Sequence, residues 1–338
     1  MQSKIFRVYR DILKENSEPV LIDLVNGEEN ILSAANIYTS VLSRIKDLKR
    51  KGFNSHDILL SEPTSFSSFI DFMACTYFGA SYFPVNKATK EKVLSQEFFE
   101  CEIREKDDDI FLTGLLSWHK SNKLYPLLIA TSGTKKQKVV SYHEEGLIYQ
   151  LQEHAQIFEK FPHEHKLSML PKFHCFGFVL DLLLGIYMKK YITFIDPNKN
   201  LKNIIQVIKE YEIDFISLVP KQIDLLMDIV DKSASVKNEL SNVNLFYGGA
   251  PLSKRQLENT NKVFKKVIEG YGLSEAGPGV MIQGKPLRGI DLKIENNLLQ
   301  VYSPSVADFA DKEFLTPFIS TNDYFKIKDE RYYFQGRS

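Results

Sequence analysis

Eight consecutive residues, Thr131-Ser132-Gly133-Thr134-Lys135-Lys136-Gln137-Lys138, combine hydroxyls, a glycine and four cationic or amide side chains. They follow Tyr125-Pro-Leu-Leu-Ile-Ala130, a short apolar run that reads as a buried strand. A strand opening into such a loop can hold phosphate: hydroxyls and backbone N–H groups donate to its oxygens and lysines offset its charge. Taken alone the segment is more often an ordinary solvated turn. Four more segments follow in chain order: Pro171-Lys-Phe-His-Cys-Phe-Gly177, Gly248-Gly-Ala-Pro-Leu252, Gly270-Tyr-Gly-Leu-Ser-Glu-Ala276, and Ser320-Thr-Asn-Asp323 with Gly336-Arg337 after it. The first three of these directly follow strand-like runs. Ligands of open α/β sheets bind beyond the carboxyl ends of strands, so loops distant in sequence can share one crevice.

The elements needed to position these loops are readable. Apolar residues recur at helical spacing from Ile31 to Lys51 and stop at Gly52. Asp57–Ser61 is strand-like, Phe66–Tyr77 helical, and Ser81–Val85 strand-like. Residues 89–120 are charged and weakly patterned, and are expected to be helix plus connection. An amphipathic helix is expected over Leu147–Phe161. Strand-like runs at 167–170, 191–195, 215–219, 243–247 and 266–268 then alternate with helical ones at 176–187, 201–211, 221–230 and 254–264. Such alternation predicts an α/β fold with a largely parallel sheet. After Pro286 short strands at 291–295, 298–302 and 331–334, separated by polar turns, predict an antiparallel or barrel-like piece.

Composition narrows the function classes. Of 338 residues 43% are hydrophobic and 25% charged, ordinary globular proportions with material for a large core. Formal net charge is zero, so no basic excess exists to neutralise a nucleic-acid backbone. Cys75, Cys101 and Cys175 are odd in number and widely spaced, with neither a disulfide framework nor a zinc spacing. They suit a reducing cytosol, and the N-terminus shows no apolar signal segment, so a cytoplasmic location is expected. The longest apolar stretch, Phe176–Met188, is interrupted by Asp181 and too short to span a bilayer.

Five motifs in this order and context resemble the N-terminal large domain of the adenylate-forming (AMP-binding) superfamily, which includes acyl- and aryl-CoA synthetases, luciferases and adenylation domains of peptide synthetases. The resemblance covers nearly the whole chain. It implies an αβαβα layered α/β fold with parallel-rich sheets over about 1–285 and a smaller antiparallel barrel-like part over about 286–338. It also implies activation of a carboxylic acid by ATP·Mg²⁺ to an acyl-adenylate, then transfer to a thiol of coenzyme A or of a carrier-protein pantetheine, which makes an acyl carrier protein a candidate partner. Thr131, Ser132, Gly133, Thr134 and Lys138 match the family's triphosphate loop. Tyr271 matches its adenine-stacking aromatic, followed by Gly272; Ser274 matches its α-phosphate contact and Glu275 its magnesium ligand. Gly249, Ala250 and Pro251 border adenine and the acyl pocket, and Asp323 and Arg337 match its ribose contacts. His174, Phe176 and Gly177, with Gly249, would wall the carboxylate substrate. Lys138, Ser274 and Glu275 would carry the catalytic electrostatics.

The chain also departs from that pattern. Lys135-Lys136-Gln137 stand where a second glycine and a proline are usual, and Asn322 replaces a glycine before Asp323. The sequence stops at Gly336-Arg337-Ser338, where the family's hinge begins. The small C-terminal lid with its catalytic lysine is therefore not expected within these residues, whether through a cut at the hinge or a naturally lidless protein. Aromatics in Phe173–Phe178 favour a fatty or aryl acid. Asp181, one helical turn on, could instead pair with an amino-acid amine. A non-enzymatic nucleotide- or acyl-binding protein is the third reading. His163-Glu-His165 could ligate metal by residue type but reads as a solvated turn.

Overall fold

The computed structural model describes residues 2–15, 19–24, 29–63, 66–114, 124–131, 137–196, 203–231, 234–309 and 318–338. Their strands make three sheets. The nine-stranded sheet runs, in spatial order, Lys285–Pro286, Gly277–Ile282, Lys266–Leu273, Asn244–Tyr247, Phe215–Leu218, His165–Ser168, Tyr191–Phe194, Pro19–Asp23 and Asn30–Ser33. Its centre is parallel and its two margins antiparallel. The seven-stranded sheet runs Asp308–Phe309, Val139–Tyr142, Leu127–Ala130, Ser81–Pro84, Ile58–Ser61, Asp109–Thr113 and Glu102–Lys106. The third is four-stranded and antiparallel: Asp291–Glu295, Leu298–Tyr302, Ile319–Lys328 and Arg331–Arg337.

Side-chain alternation along the strands explains the layering. Leu59, Leu127, Ile129, Val140 and Tyr142 of the seven-stranded sheet share one core with Phe215, Phe246 and Ile268 of the nine-stranded sheet. The helices Lys4–Glu15, Ala34–Arg50, Ser67–Phe78 and Glu144–Phe158 fill the layer between them. The opposite face of the larger sheet carries Ile216, Leu218, Leu245 and Tyr247 into a second core with the helices Ile204–Glu210 and Pro220–Val230. Ile58, Leu60, Leu128 and Ala130 point the other way, onto a third core with the helix Lys87–Leu94. Helix, sheet, helix, sheet, helix is the expected order of layers.

Local signals set the helix ends. Ser33 caps Ala34–Arg50 with a reciprocal bond to Asn36, and Gly52 at φ +80° ends the turn after it. Ser253 and Gln256 do the same for Lys254–Asn261. The segment Phe176–Leu183 is a π-helix that continues as the α-turn Leu184–Tyr187. Widened turns of this kind gather at functional sites.

Three expectations need correcting. Residues 102–113 are a hairpin, not helix and connection: the strands Glu102–Lys106 and Asp109–Thr113 pair antiparallel at the margin of the sheet, and Asp107 turns the chain at φ +54°. Ser320–Asp323 lies inside the strand Ile319–Lys328, not in a loop. His163 is buried against the Phe215 ring at 4.3 Å, with its Nδ1 bonded to the Phe161 carbonyl, and is not solvated surface. Sheet topology also ties distant segments together. After Leu298–Tyr302 the chain crosses to the seven-stranded sheet, pairs Asp308–Phe309 with Val139–Tyr142, and returns to the four-stranded sheet at Ile319.

Candidate functional site

The strands Leu127–Ala130 and Val139–Tyr142 pair antiparallel and form the stem of the proposed phosphate loop. At its neck the Thr131 N–H donates to the Lys138 carbonyl at 2.7 Å, and the Lys138 N–H donates to Thr131 Oγ1 at 3.0 Å. Thr131 is buried and Lys138 exposed. Ser132, Gly133 and Thr134 lie outside the described residues. Gln137 is tied to the helix Lys87–Leu94 by donating to Thr89 Oγ1 at 3.2 Å.

Tyr271, Asp323 and Arg337 come together although 66 residues of chain separate the first and last. Asp323 and Arg337 are register partners on neighbouring strands. Arg337 clamps the buried Asp323 carboxylate through Nε at 2.6 Å and its terminal nitrogen at 3.0 Å, the fork geometry of strong charge-assisted bonds. The Tyr271 hydroxyl donates to the same carboxylate at 2.8 Å, and its ring packs edge-on to Phe325. Burial, and next the Asp323 charge, push the Tyr271 phenol well above its ordinary range. The result is a fixed, neutral aromatic beside a carboxylate whose oxygens face polar neighbours. Gly272 is required here, because a Cβ would stand 1.8 Å from the Pro278 carbonyl oxygen.

Ser274–Ala276 is a single 3₁₀ turn between the strands Lys266–Leu273 and Gly277–Ile282. Its Ser274 carbonyl accepts from the Tyr142 hydroxyl at 2.8 Å, and its Oγ lies 3.5 Å from the Cys175 sulfur. Glu275 is half-buried, and its carboxylate has no hydrogen-bond partner among the described residues. One unengaged hard-oxygen ligand suits Mg²⁺, which takes one or two carboxylates and completes its shell with phosphate and water. Among the described residues no three His, Cys, Asp or Glu side chains cluster for a fully protein-made metal site.

His174, Phe176 and Gly177 sit at the start of the π-helix. Gly177 is obligatory, since a Cβ would meet the Pro171 carbonyl oxygen at 2.1 Å. His174 is half-buried, and burial lowers its pKa. It lines a shallow depression with Pro84, Asn86, Ala130, Gln137 and Phe173, at the neck of the phosphate loop. Phe176 lies edge-on to Phe246 at 5.2 Å. A Cβ on Gly248 would stand 3.5 Å from the Phe176 ring, and one on Gly270 only 2.6 Å from Phe246. These two glycines leave aromatic walls where side chains would otherwise project. Gly249 turns the chain at φ +84°, and Gly249, Ala250 and Pro251 are exposed at the strand end.

Asp181 is not available to a substrate amine. Its carboxylate is fully buried, 2.9 Å from Lys166 Nζ and 2.9 Å from Lys172 Nζ, and it accepts from Ser168 Oγ. Lys172 also donates to Ser168 Oγ and to the Leu170 carbonyl, which pins the loop leading to His174. Burial would raise the Asp181 pKa, but the two lysines outweigh it and hold it near 2. Sequence reasoning missed Tyr142 and Phe246. Both sit inside apolar strand runs, where nothing local distinguishes a wall of the site from core.

Two comparisons with known proteins bear on this arrangement, and a third, with the curated proteins, finds no match. Solved structures match nearly the full chain at low identity, which shows the fold. One is the fatty acyl-adenylate ligase from L. pneumophila in complex with acyl adenylate and pyrophosphate (TM-score 0.79, 15% identity, 100% of this chain and 79% of that one). Another is o-succinylbenzoate coenzyme A synthetase from Bacillus subtilis with ATP and magnesium ion (TM-score 0.74, 18% identity, 98% and 79%). A third is the adenylation domain of a keto acid-selecting peptide synthetase module bound to keto acyl adenylate (TM-score 0.77, 15% identity, 98% and 79%). A family model, "AMP-binding enzyme", matches residues 121–305, a span that holds the phosphate-loop stem, the His174 segment, both glycine-rich strand ends and the Ser274 turn. With more than half of its length matched and those motifs meeting between the same sheets, this chain belongs to the AMP-binding enzyme family.

Proposed function

We propose that the chain binds ATP with Mg²⁺ and a fatty or aryl carboxylic acid, and joins them as an acyl-adenylate destined for a thiol. The observation that carries this reading is the Tyr271–Asp323–Arg337 cluster three residues from the Ser274–Glu275 turn. It offers an aromatic face for a base, a carboxylate for sugar hydroxyls, and a hydroxyl and a free carboxylate for a phosphate and its metal. In the joining step a substrate carboxylate oxygen bonds to the α-phosphorus and the bond from that phosphorus to the pyrophosphate oxygen breaks. A thiolate sulfur of coenzyme A or carrier pantetheine would then bond to the acyl carbon and release AMP.

Within this scheme the chain's own groups bind and orient. Asp323 would accept from ribose hydroxyls, and Arg337 would hold it charged and in place. Thr131 and Lys138 would frame the outer phosphates, with Ser132, Gly133 and Thr134 between them. Ser274 Oγ would donate to the α-phosphate. Glu275 would hold Mg²⁺, which when bound offsets charge on the phosphate oxygens. Phe176 and Phe246 give the acid's arm apolar walls, and His174 and Gly177 bound it near the carboxylate. The enclosed Asp181 leaves an amino-acid substrate without its expected partner, which favours an acid with no amine.

Thermal shift against acyl-sulfamoyl-adenosines with fatty, aryl and aminoacyl arms tests the reading. A ligand at about 100 times its Kd adds about 2.7 kcal/mol. A shift from fatty or aryl arms is expected; a shift from the aminoacyl arm alone would overturn the substrate assignment. Silence with every arm and with ATP·Mg²⁺ would overturn adenylate binding itself and leave a non-enzymatic role.

A further inference from the structure

Ser274 is gripped from two directions by side chains outside its own motif. Tyr142 ends the strand that leaves the phosphate loop, and it is fully buried in the layer between the two large sheets. Its hydroxyl reaches across that layer to the Ser274 carbonyl at 2.8 Å. Cys175, the residue before the π-helix, brings its sulfur to 3.5 Å from Ser274 Oγ. Three separate motifs therefore touch at one residue: the phosphate-loop stem, the His174 segment and the Tyr271–Ala276 segment.

We propose that Tyr142 and Cys175 are positioning residues for Ser274, setting its hydroxyl toward the α-phosphate and joining the phosphate loop to the turn that bears Glu275. The proposal rests on the adenylate-binding reading given above. Proton bookkeeping gives the directions. The Tyr142 O–H is spent on the Ser274 carbonyl. Burial holds both the Tyr142 phenol and the Cys175 thiol above their ordinary ranges, so both keep their protons near neutrality. A Cys175 S–H given to Ser274 Oγ leaves the serine's own proton free for a phosphate oxygen. A Ser274 proton given to sulfur would leave that phosphate contact unmade.

Calorimetric Kd values for adenosine and for AMP separate positioning from general structural support, because only AMP carries the α-phosphate. Tyr142→Phe and Cys175→Ala are each expected to weaken AMP about tenfold, the effect of a slightly misaligned donor, with adenosine affinity unchanged. Cys175→Ser keeps a donor in place and is expected to retain wild-type AMP binding. Parallel losses for adenosine and AMP, or no loss for either, would overturn the positioning role while leaving the adenylate reading intact. A wild-type chain that binds AMP no better than adenosine would overturn both.

Discussion

Replacing Asp181 by Asn removes the single anion from a buried group that holds two ammonium ions. Lys166 and Lys172 are each nearly inaccessible, and each lies 2.9 Å from a different carboxylate oxygen. Taking one member from a buried ion pair costs about 3–5 kcal/mol, because a desolvated charge is left unpaired. Unfolding entropy near 2.1 cal/mol/K per residue, over 338 residues, gives roughly 0.7 kcal/mol/K. The expected fall in Tm is therefore about 4–7 °C, measured by calorimetry alongside urea unfolding at constant m. The pH dependence has a definite sign. The folded Asp181 pKa, near 2, lies below its ordinary 3.8, so the unfolded chain takes up the proton first. This group's contribution is complete above pH 4 and is lost as pH falls through 3.8 toward 2, about 2 kcal/mol in all. Asp181→Asn should flatten that acid limb. A triple replacement, Asp181→Leu with Lys166→Met and Lys172→Met, should recover most of the lost stability, since apolar groups of similar size need no partner. A loss under about 1 kcal/mol in Asp181→Asn, or a triple variant weaker than the single one, would refute the claim that this charge group is a closed and mutually dependent unit.

Other outcomes follow from the same geometry. Asp323→Asn breaks the fork to Arg337 and should weaken AMP about tenfold or more, since hydrogen bonds to charged groups are worth about 1.5–3 kcal/mol; titration calorimetry reads it. Gly272→Ala drives a methyl into the Pro278 carbonyl and should cost about 3 kcal/mol or leave the protein insoluble. Wild-type-like stability by urea melt would argue against that close approach. His154 and His163 are both held near pKa 4, chiefly by burial, below the ordinary 6.5. Stability is then full above pH 6.5 and falls as pH drops toward 4, by about 3 kcal/mol per histidine. His163→Phe, which keeps the stack on Phe215, should flatten that slope in urea melts taken at pH 7 and pH 5.

The parallel strands were legible because both of their faces are covered. A run such as Leu127–Ala130 is apolar throughout, and turn residues mark where it stops. The hairpin 102–113 was hidden by its place at the sheet margin, where the outermost strand Glu102–Lys106 is charged at four of its five residues and the turn between the strands is acidic. Asp323 was identified while its setting was not. Its alternating neighbours in Ile319–Lys328 show the period of a strand, but the short polar string around it looks like a loop. Glu275, Tyr271 and Arg337 could be singled out because they stand in motifs. Tyr142 could not, since a tyrosine closing an apolar strand looks the same whether it packs or grips. Asp181 shows the converse: a lone acid in an apolar helix invites a ligand role, and its lysine partners lie on a strand and a loop that no local pattern connects to it.

The stem of the phosphate loop gains its outer neighbour very late. Ser141 gives its hydroxyl to the Asp308 carbonyl across 167 residues of chain. On a ribosome adding roughly 5–20 residues per second, that gap is roughly 8–33 s. Through that interval the strand Val139–Tyr142 has one bare edge, rich in Val and Tyr, and open to pairing with other chains. Slower passage through codons 143–307 lengthens the exposure, and holdase chaperones that recognise extended apolar strands should find this segment in nascent chains before any other part of the site is complete.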